Sequence, residues 1–211
     1  NKNISFSYDN NSNAGVLFSN NIKGNFLTIF TENIKLDFVK CITQFFKPNP
    51  CEIYKGSNIE IGSNCSIGGE GFGFIFDKIN NTWVKFPHYG NIILEDNITI
   101  GDNNTIIRGT LSDTIIKSGV KTDSSVHIAH NTIINKNCML AAHSMISGSV
   151  VIGENSWIGP SSSVINKVSI GKNVFVGIGS NIINNIPDNV VVAGNPAKIL
   201  RENTNLYNSY E

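Results

Sequence analysis

The side chains best suited to moving a proton near neutral pH are four imidazoles, at His88, His127, His130 and His143. Imidazole has an ordinary pKa of about 6.5, so its neutral form is available as a general base. His127, His130 and His143 could also be forced into a metal reading, but zinc demands ligands that converge, and no metal site is expected from this spacing. Cys41, Cys51, Cys65 and Cys138 stand far apart without a CxxC pair, the pattern of reduced thiols in a cytoplasmic protein. Cys138 has no activating neighbour and reads as a quiet buried thiol rather than a nucleophile. Lys167 and Lys172 are candidates for phosphate contacts as point charges, the alternative for each being plain solvation. The glycines at 69, 71 and 73 superficially suggest a dinucleotide fingerprint. No βαβ unit surrounds them, so they read as a loop needing permissive backbone.

A repeat of six must position these groups. From Ile116, every sixth residue to Ile182 is aliphatic except Thr122, which is β-branched. A helix would repeat its apolar face near 3.6 residues and a strand near 2, so neither fits. The pattern is that of a solenoid whose short strands each turn a corner. The residue after the inward aliphatic is often small or turn-forming, as at Ala129, Asn135, Ser147, Gly153 and Gly159. Three hexads make one triangular coil, which buries its aliphatics only because a neighbouring coil covers them. Asn is abundant, as expected of turn residues at solenoid corners together with coding bias.

The rest of the chain departs from this beat. Residues 1–47 read as a small α/β domain, with strands at Ile4–Tyr8, Ala14–Phe18 and Phe26–Phe30 and a helix from Ile34 to Phe46 closed by Lys47-Pro48. Residues 51–192 form the solenoid, interrupted by an excursion at 69–90 and by a small bulge around Gly109–Ser112. Residues 193–211 read as a short helix and polar tail. Sixteen basic and sixteen acidic side chains leave a formal net charge of zero, which argues against a nucleic-acid footprint. No apolar run approaches the roughly 18 residues of a membrane span, and no signal peptide is visible.

At this point the chain resembles the hexapeptide-repeat acyltransferases, whose repeats form a left-handed parallel β-helix. The resemblance sharpens toward the UDP-3-O-acylglucosamine N-acyltransferases of lipid A biosynthesis. It is carried by Gly69-Glu70-Gly71-Phe72-Gly73-Phe74, Trp83-Val84-Lys85-Phe86-Pro87 with Gly90, Thr105 to Leu111 with Asp113-Thr114, and His127-Ile128-Ala129-His130-Asn131. It implies a mainly β protein: a left-handed parallel β-helix with a small N-terminal α/β domain, to which the sequence adds a short C-terminal helix. By resemblance His130 is the base and Asp123 orients or polarises it. His127, Asn131 and His143 flank the substrate, and Phe6 stacks on a nucleobase. Gly148 offers a backbone N–H to the oxyanion, and Lys167 stands where the family has a second active-site histidine. For Asp123 and His143 an exposed position is the alternative; for Gly148 it is simple turn geometry, and for Phe6 a place in the core.

The departures shape the functional expectation. Ile107 replaces an acidic residue of the family, and Asp9 and Ser12 stand where the family has Asn and Tyr. The chain has fewer coils than the family and no carrier-binding helices, and Ala193-Gly194-Asn195-Pro196-Ala197-Lys198 resembles the close of sugar acetyltransferases that use coenzyme A. The expectation is a cytoplasmic, homotrimeric N-acyltransferase with no bound cofactor. It would move an acetyl or short acyl group from acyl-coenzyme A to the amino group of a nucleotide-linked sugar. The alternatives are a lipid A enzyme fed by acyl carrier protein, a sugar O-acetyltransferase, and a γ-type zinc carbonic anhydrase.

Overall fold

The computed structural model describes residues 16–19, 27–30 and 33–204. Phe6 and the Ile4–Tyr8 strand lie outside them. From Ile53 onward short strands run in turn around three faces. Face 1 begins with Ile53–Lys55 and continues through Ile92–Leu94, Thr114–Ile116, Ile133–Ile134, Val151–Ile152 and Ser169–Ile170. Face 2 begins with Ile59–Ile61 and includes Lys121–Thr122, Met139–Leu140, Trp157–Ile158 and Phe175–Val176. Face 3 begins with Ser66–Gly69 and includes Thr105–Ile107, His127–Ile128, Met145–Ile146, Ser163–Val164 and Asn181–Ile182. Each strand pairs in parallel with the strand one coil away, so Ile128 faces Ile146 and Ile146 faces Val164. This is the three-hexad coil read from the sequence, and the architecture is a parallel β-solenoid.

From Leu94 to Ile182 the inward positions of the hexads are buried, with Ile128, Ile146, Ile152 and Ile158 fully excluded from solvent. A second inward column, which the sequence reading overlooked, lies two residues earlier in each hexad. Val120, Val126, Thr132, Cys138, Ser144 and Val150 occupy it. These side chains are small or β-branched because they fill the prism's narrowing corners. Burial pushes the Cys138 thiol up to about 12, and its Sγ donates to the Gly153 carbonyl at 3.0 Å. The corners turn on single residues in the left-handed region, among them Asn137 (φ 56°), Asn155 (φ 58°) and Asn173 (φ 55°). Asn tolerates that region better than any other ordinary side chain. Its amides also ladder along the edge, Asn173 donating to Asn189 at 2.8 Å. The abundance of Asn is therefore structural at these positions.

The expected C-terminal helix is not formed by the described residues. Val190–Gly194 joins face 2 in parallel with Phe175–Val176, and Ala197–Glu202 folds back on it antiparallel. The last coil presents an open sheet edge, and a strand can satisfy its ladder where a helix could not.

By its contacts the chain divides into two units, Asn49–Gly71 with His88–Glu211, and the N-terminal residues to Pro48 with Phe72–Pro87. The excursion, placed with the solenoid by its sequence position, thus groups with the N-terminal residues. In that unit Val16–Ser19 pairs in parallel with Leu27–Phe30. The helix Ile34–Phe45 starts at Asn33, whose side chain accepts the Leu36 N–H, and buries Leu36, Val39 and Ile42 at helical spacing. Phe74–Asp77 and Thr82–Lys85 form an antiparallel hairpin. Asp77, only 1 % exposed, accepts the backbone N–H groups of Ile79 and Asn80 in the hairpin turn and the Lys40 ammonium of the helix at 2.6 Å.

Three outcomes follow from this packing. Thr122 is buried on an inward strand position with its hydroxyl unpartnered. Replacing it by Val, nearly the same shape, should raise stability by about 1 kcal/mol in denaturant unfolding. Ile146→Ala should instead cost about 2–5 kcal/mol. The Lys40 ammonium, with Asn80, depresses the Asp77 carboxyl well below the usual carboxylate range. A depressed folded-state pKa stabilises fully above the ordinary value of about 3.9 and is lost as pH falls below it. Hydrogen exchange of the hairpin amides should therefore accelerate between pH 6 and pH 3 in the wild type, relative to the intrinsic rate, and lose that dependence in Asp77→Asn.

Candidate active site

Two insertions interrupt the hexad beat, and both fall on the same edge of the solenoid. The excursion leaves after Ser66–Gly69 on face 3 and returns at Ile92–Leu94 on face 1; the loop 108–113 likewise joins Thr105–Ile107 to Thr114–Ile116. The next corner on this edge, between His127–Ile128 and Ile133–Ile134, carries His130 and Asn131.

Asn131 adopts φ 59° and directs its amide under the neighbouring loop. Its Oδ1 accepts the Thr110 N–H at 3.1 Å and the Thr110 hydroxyl at 2.7 Å, while its Nδ2 donates to the Ser112 carbonyl at 2.7 Å. A backbone N–H can only donate and a carbonyl can only accept, so these partners fix which end of the amide is oxygen. The His130 Nδ1 lies 2.8 Å from that oxygen. Nδ1 must therefore carry the hydrogen, which leaves the Nε2 lone pair for a substrate proton. The loop is in turn held tightly: a Cβ at Gly109 would fall 1.6 Å from the Ser112 carbonyl oxygen. Buried Thr114 braces the corner by accepting the Asn131 N–H and donating to the Ile107 carbonyl.

The imidazole of His130 is confined from the adjoining coils. A Cβ on Gly148, one coil further along, would stand 2.5 Å from Cε1 and 2.6 Å from Nε2. Gly148 is thus glycine because the ring needs its space. At the other side Gly71 would place a Cβ 2.8 Å from the His88 ring and 3.4 Å from His130. His88 itself is fully buried, and its ring lies 5.7 Å from that of His130 at 78°. Sequence reasoning left His88 without a role; its position at the end of an aromatic excursion, beside Pro87, was the available signal.

The other expected residues distribute over different edges. Asp123 is exposed at the edge between faces 2 and 3, where its carboxylate accepts the Ser124 N–H at 2.7 Å. It shares no hydrogen bond with His130, and within the chain the orienting role expected of it is filled by Asn131. Residue spacing fixes a corner but not the edge it faces, and within this chain Asp123 and His130 occupy different edges. His143 sits exposed at the same edge as Asp123, as its corner's left-handed residue (φ 59°). His127 points outward on face 3 between Thr105 and Met145, and its burial lowers its pKa. Lys167 is exposed on the His130 edge, in the column of Asn131. Lys172 is on the edge between faces 1 and 2 and pairs with Glu154 at 2.8 Å, so the two lysines do not form one phosphate site. Buried Arg108 donates to the carbonyls of Gly90, Asn49 and Tyr89 and so ties the base of the loop region to the solenoid.

The bacterial transferase hexapeptide (six repeats) family matches residues 113–148 and 149–184. A UDP-3-O-acylglucosamine N-acyltransferase of Methylococcus capsulatus is 43 % identical over 98 residues, covering 46 % of this chain and 27 % of the relative. Its counterpart in Pseudomonas syringae pv. tomato is 45 % identical over 91 residues, 43 % of this chain and 25 % of the relative. The match thus spans about a quarter of the length of these curated relatives. Among solved structures, the UDP-N-acetylglucosamine O-acyltransferase of Moraxella catarrhalis RH4 superposes with a TM-score of 0.65 at 25 % identity, over 72 % of this chain and 57 % of that one. The repeat family thus matches about a third of this chain, along the strands that carry His130 and Gly148, and the curated relatives matched over the same region are named as acyltransferases.

Proposed function

We propose that this chain is an N-acyltransferase that moves an acyl group from a thioester to the amino group of a UDP-linked, acylated glucosamine. The observation that carries the reading is the single tautomer imposed on His130, a base whose free nitrogen opens beside a glycine backbone. The names of the curated relatives favour the acylated UDP-glucosamine acceptor over the acetyl or short-acyl reading that the C-terminal stretch suggested. That stretch forms a capping hairpin, so its likeness to sugar acetyltransferases reflects how a solenoid ends.

In this mechanism the sugar amine attacks the thioester carbonyl carbon, forming the C–N bond. Nε2 of His130 takes the ammonium proton, and Nδ1–H against Asn131 holds the resulting imidazolium. The carbonyl oxygen becomes an oxyanion, for which the Gly148 N–H is the donor. Collapse breaks the C–S bond, and the departing thiolate recovers the proton from His130. The balance is amide plus free thiol, with no metal and no covalent enzyme intermediate.

We further propose a homotrimer with the sites at its subunit boundaries. Successive outward residues of face 1 are Ile93, Ile115, Ile133 and Val151, whereas the corresponding stretch of face 3 carries Thr105, His127, Met145 and Ser163. A ladder of outward aliphatics is what a repeated cyclic interface would cover. Face 1 also borders the His130 edge, so a neighbour seated there would form the second wall of the cleft.

Free-thiol release should be measured with acyl carrier protein and coenzyme A thioesters against acylated UDP-glucosamine and other nucleotide amino sugars. The carrier-bound hydroxyacyl donor with the acylated UDP-glucosamine is expected to turn over fastest; activity confined to acetyl-coenzyme A would return the reading to a sugar acetyltransferase. His130→Ala should lower kcat by about 10²–10⁴-fold with little change in substrate affinity. Survival of activity would remove His130 from the base role. Ile133→Glu should convert the trimer to monomer in light scattering and abolish turnover, and an unchanged mass would exclude face 1 as the interface.

A further inference from the structure

The excursion begins beyond Gly71 and ends before His88, so these two residues are its stems. They are joined directly: the Gly71 N–H donates to His88 Nε2 at 3.2 Å. A backbone N–H can only donate, so Nε2 is the accepting nitrogen and His88 is held neutral with its hydrogen on Nδ1. The next residue, Tyr89, donates its N–H to the Thr110 carbonyl at 2.6 Å. Thr110 in turn donates to Asn131 Oδ1, and Asn131 receives the hydrogen of His130. The ring of His88 closes this circuit by standing nearly perpendicular to His130. Gly71 lies against both rings: a Cβ there would crowd His88 Nε2 at 2.8 Å and Ile107 at 3.0 Å, and would meet His130 Cδ2 at an ordinary 3.4 Å.

We propose that His88 is a positioning residue for the His130 base. By accepting the Gly71 N–H and abutting the His130 ring, it clasps the stems of the excursion. It thereby holds the base at the angle its Asn131 hydrogen bond requires. A fully buried imidazole gives up its hydration, and the hydrogen bond from Gly71 offsets that loss at Nε2. The side chain does not reach substrate. Its effect is on where Nε2 of His130 points, and a displacement of about 1 Å in such a group can cost about 10²-fold in rate. The inference rests on His130 being the base, and its test separates the two ideas.

Three variants decide it: His88→Met, which fills the space without a nitrogen acceptor; His88→Gln, whose side-chain oxygen can accept the Gly71 N–H; and Gly71→Ala, which crowds the His88 ring against its neighbour. The readouts are kcat and KM, and the nitrogen NMR spectrum of His130, which reports its tautomer without any substrate. His88→Met should lower kcat about 10- to 100-fold with KM nearly unchanged, and should mix the His130 tautomers. His88→Gln should recover most of the kcat and the single Nδ1–H tautomer. Gly71→Ala should resemble His88→Met in both readouts, and it stands in for that variant if Met at 88 prevents folding. Wild-type kcat and an unchanged His130 spectrum in His88→Met and Gly71→Ala would overturn the proposal, as would equal losses in Met and Gln. Should His130→Ala retain activity, the base assignment fails while the tautomer spectra still decide whether His88 positions that ring.

Discussion

The constraint on which this molecule depends is the parallel ladder between successive coils. Each strand of the later coils is two residues long and could not exist alone; it persists because its inward aliphatic is covered by the same position one coil on. Burial and register are therefore the same fact here. A chain that slipped by one residue would turn Ile128, Ile146 and Val164 outward together, and the ladder would lose its core at every coil. The hexad also dictates the corners, because only one residue is available to reverse direction, and it must accept positive φ.

That economy explains what the sequence could and could not reveal. The repeat was legible because one interaction recurs at a fixed interval, so each inward position supports the others. The second inward column was less visible, since Thr132, Cys138, Ser144 and Val150 share size rather than hydropathy. His130 was legible through the motif around it. Asn131 was identified as a neighbour of the substrate, but its hydrogen bonds to Thr110 and Ser112 depend on how the loop 108–113 lies beneath the corner. That Asp123 and His130 lie on different edges of the chain was not legible, because linear spacing does not say which of three edges a corner faces. His88 was missed because forty-two positions separate it from His130, and only closure of the excursion brings the two rings together. The C-terminal strand was misread because the deciding factor, an open sheet edge, belongs to the tertiary structure.

At His130 the tautomer is set by hydrogen-bond direction rather than by charge. Among the described residues no carboxylate hydrogen-bonds His130; a neutral amide, itself oriented by a backbone N–H and a carbonyl, specifies the tautomer. The amide oxygen is shared by the Thr110 N–H, the Thr110 hydroxyl and the imidazole, and it adds no formal charge to the edge. A Cys thiol pushed up to about 12 by burial supplies no competing nucleophile at Cys138.

Both insertions in the solenoid emerge from the edge that bears His130, while the other two edges keep the strict beat across the described coils. Inheritance can thus lengthen or rebuild the chain around the imidazole without disturbing a single stacked pair inside the prism. Such a molecule is divided into a part that measures and a part that varies. New acceptors could be accommodated by loop change at one seam alone, which gives an otherwise strictly repeated solenoid an evolvable side.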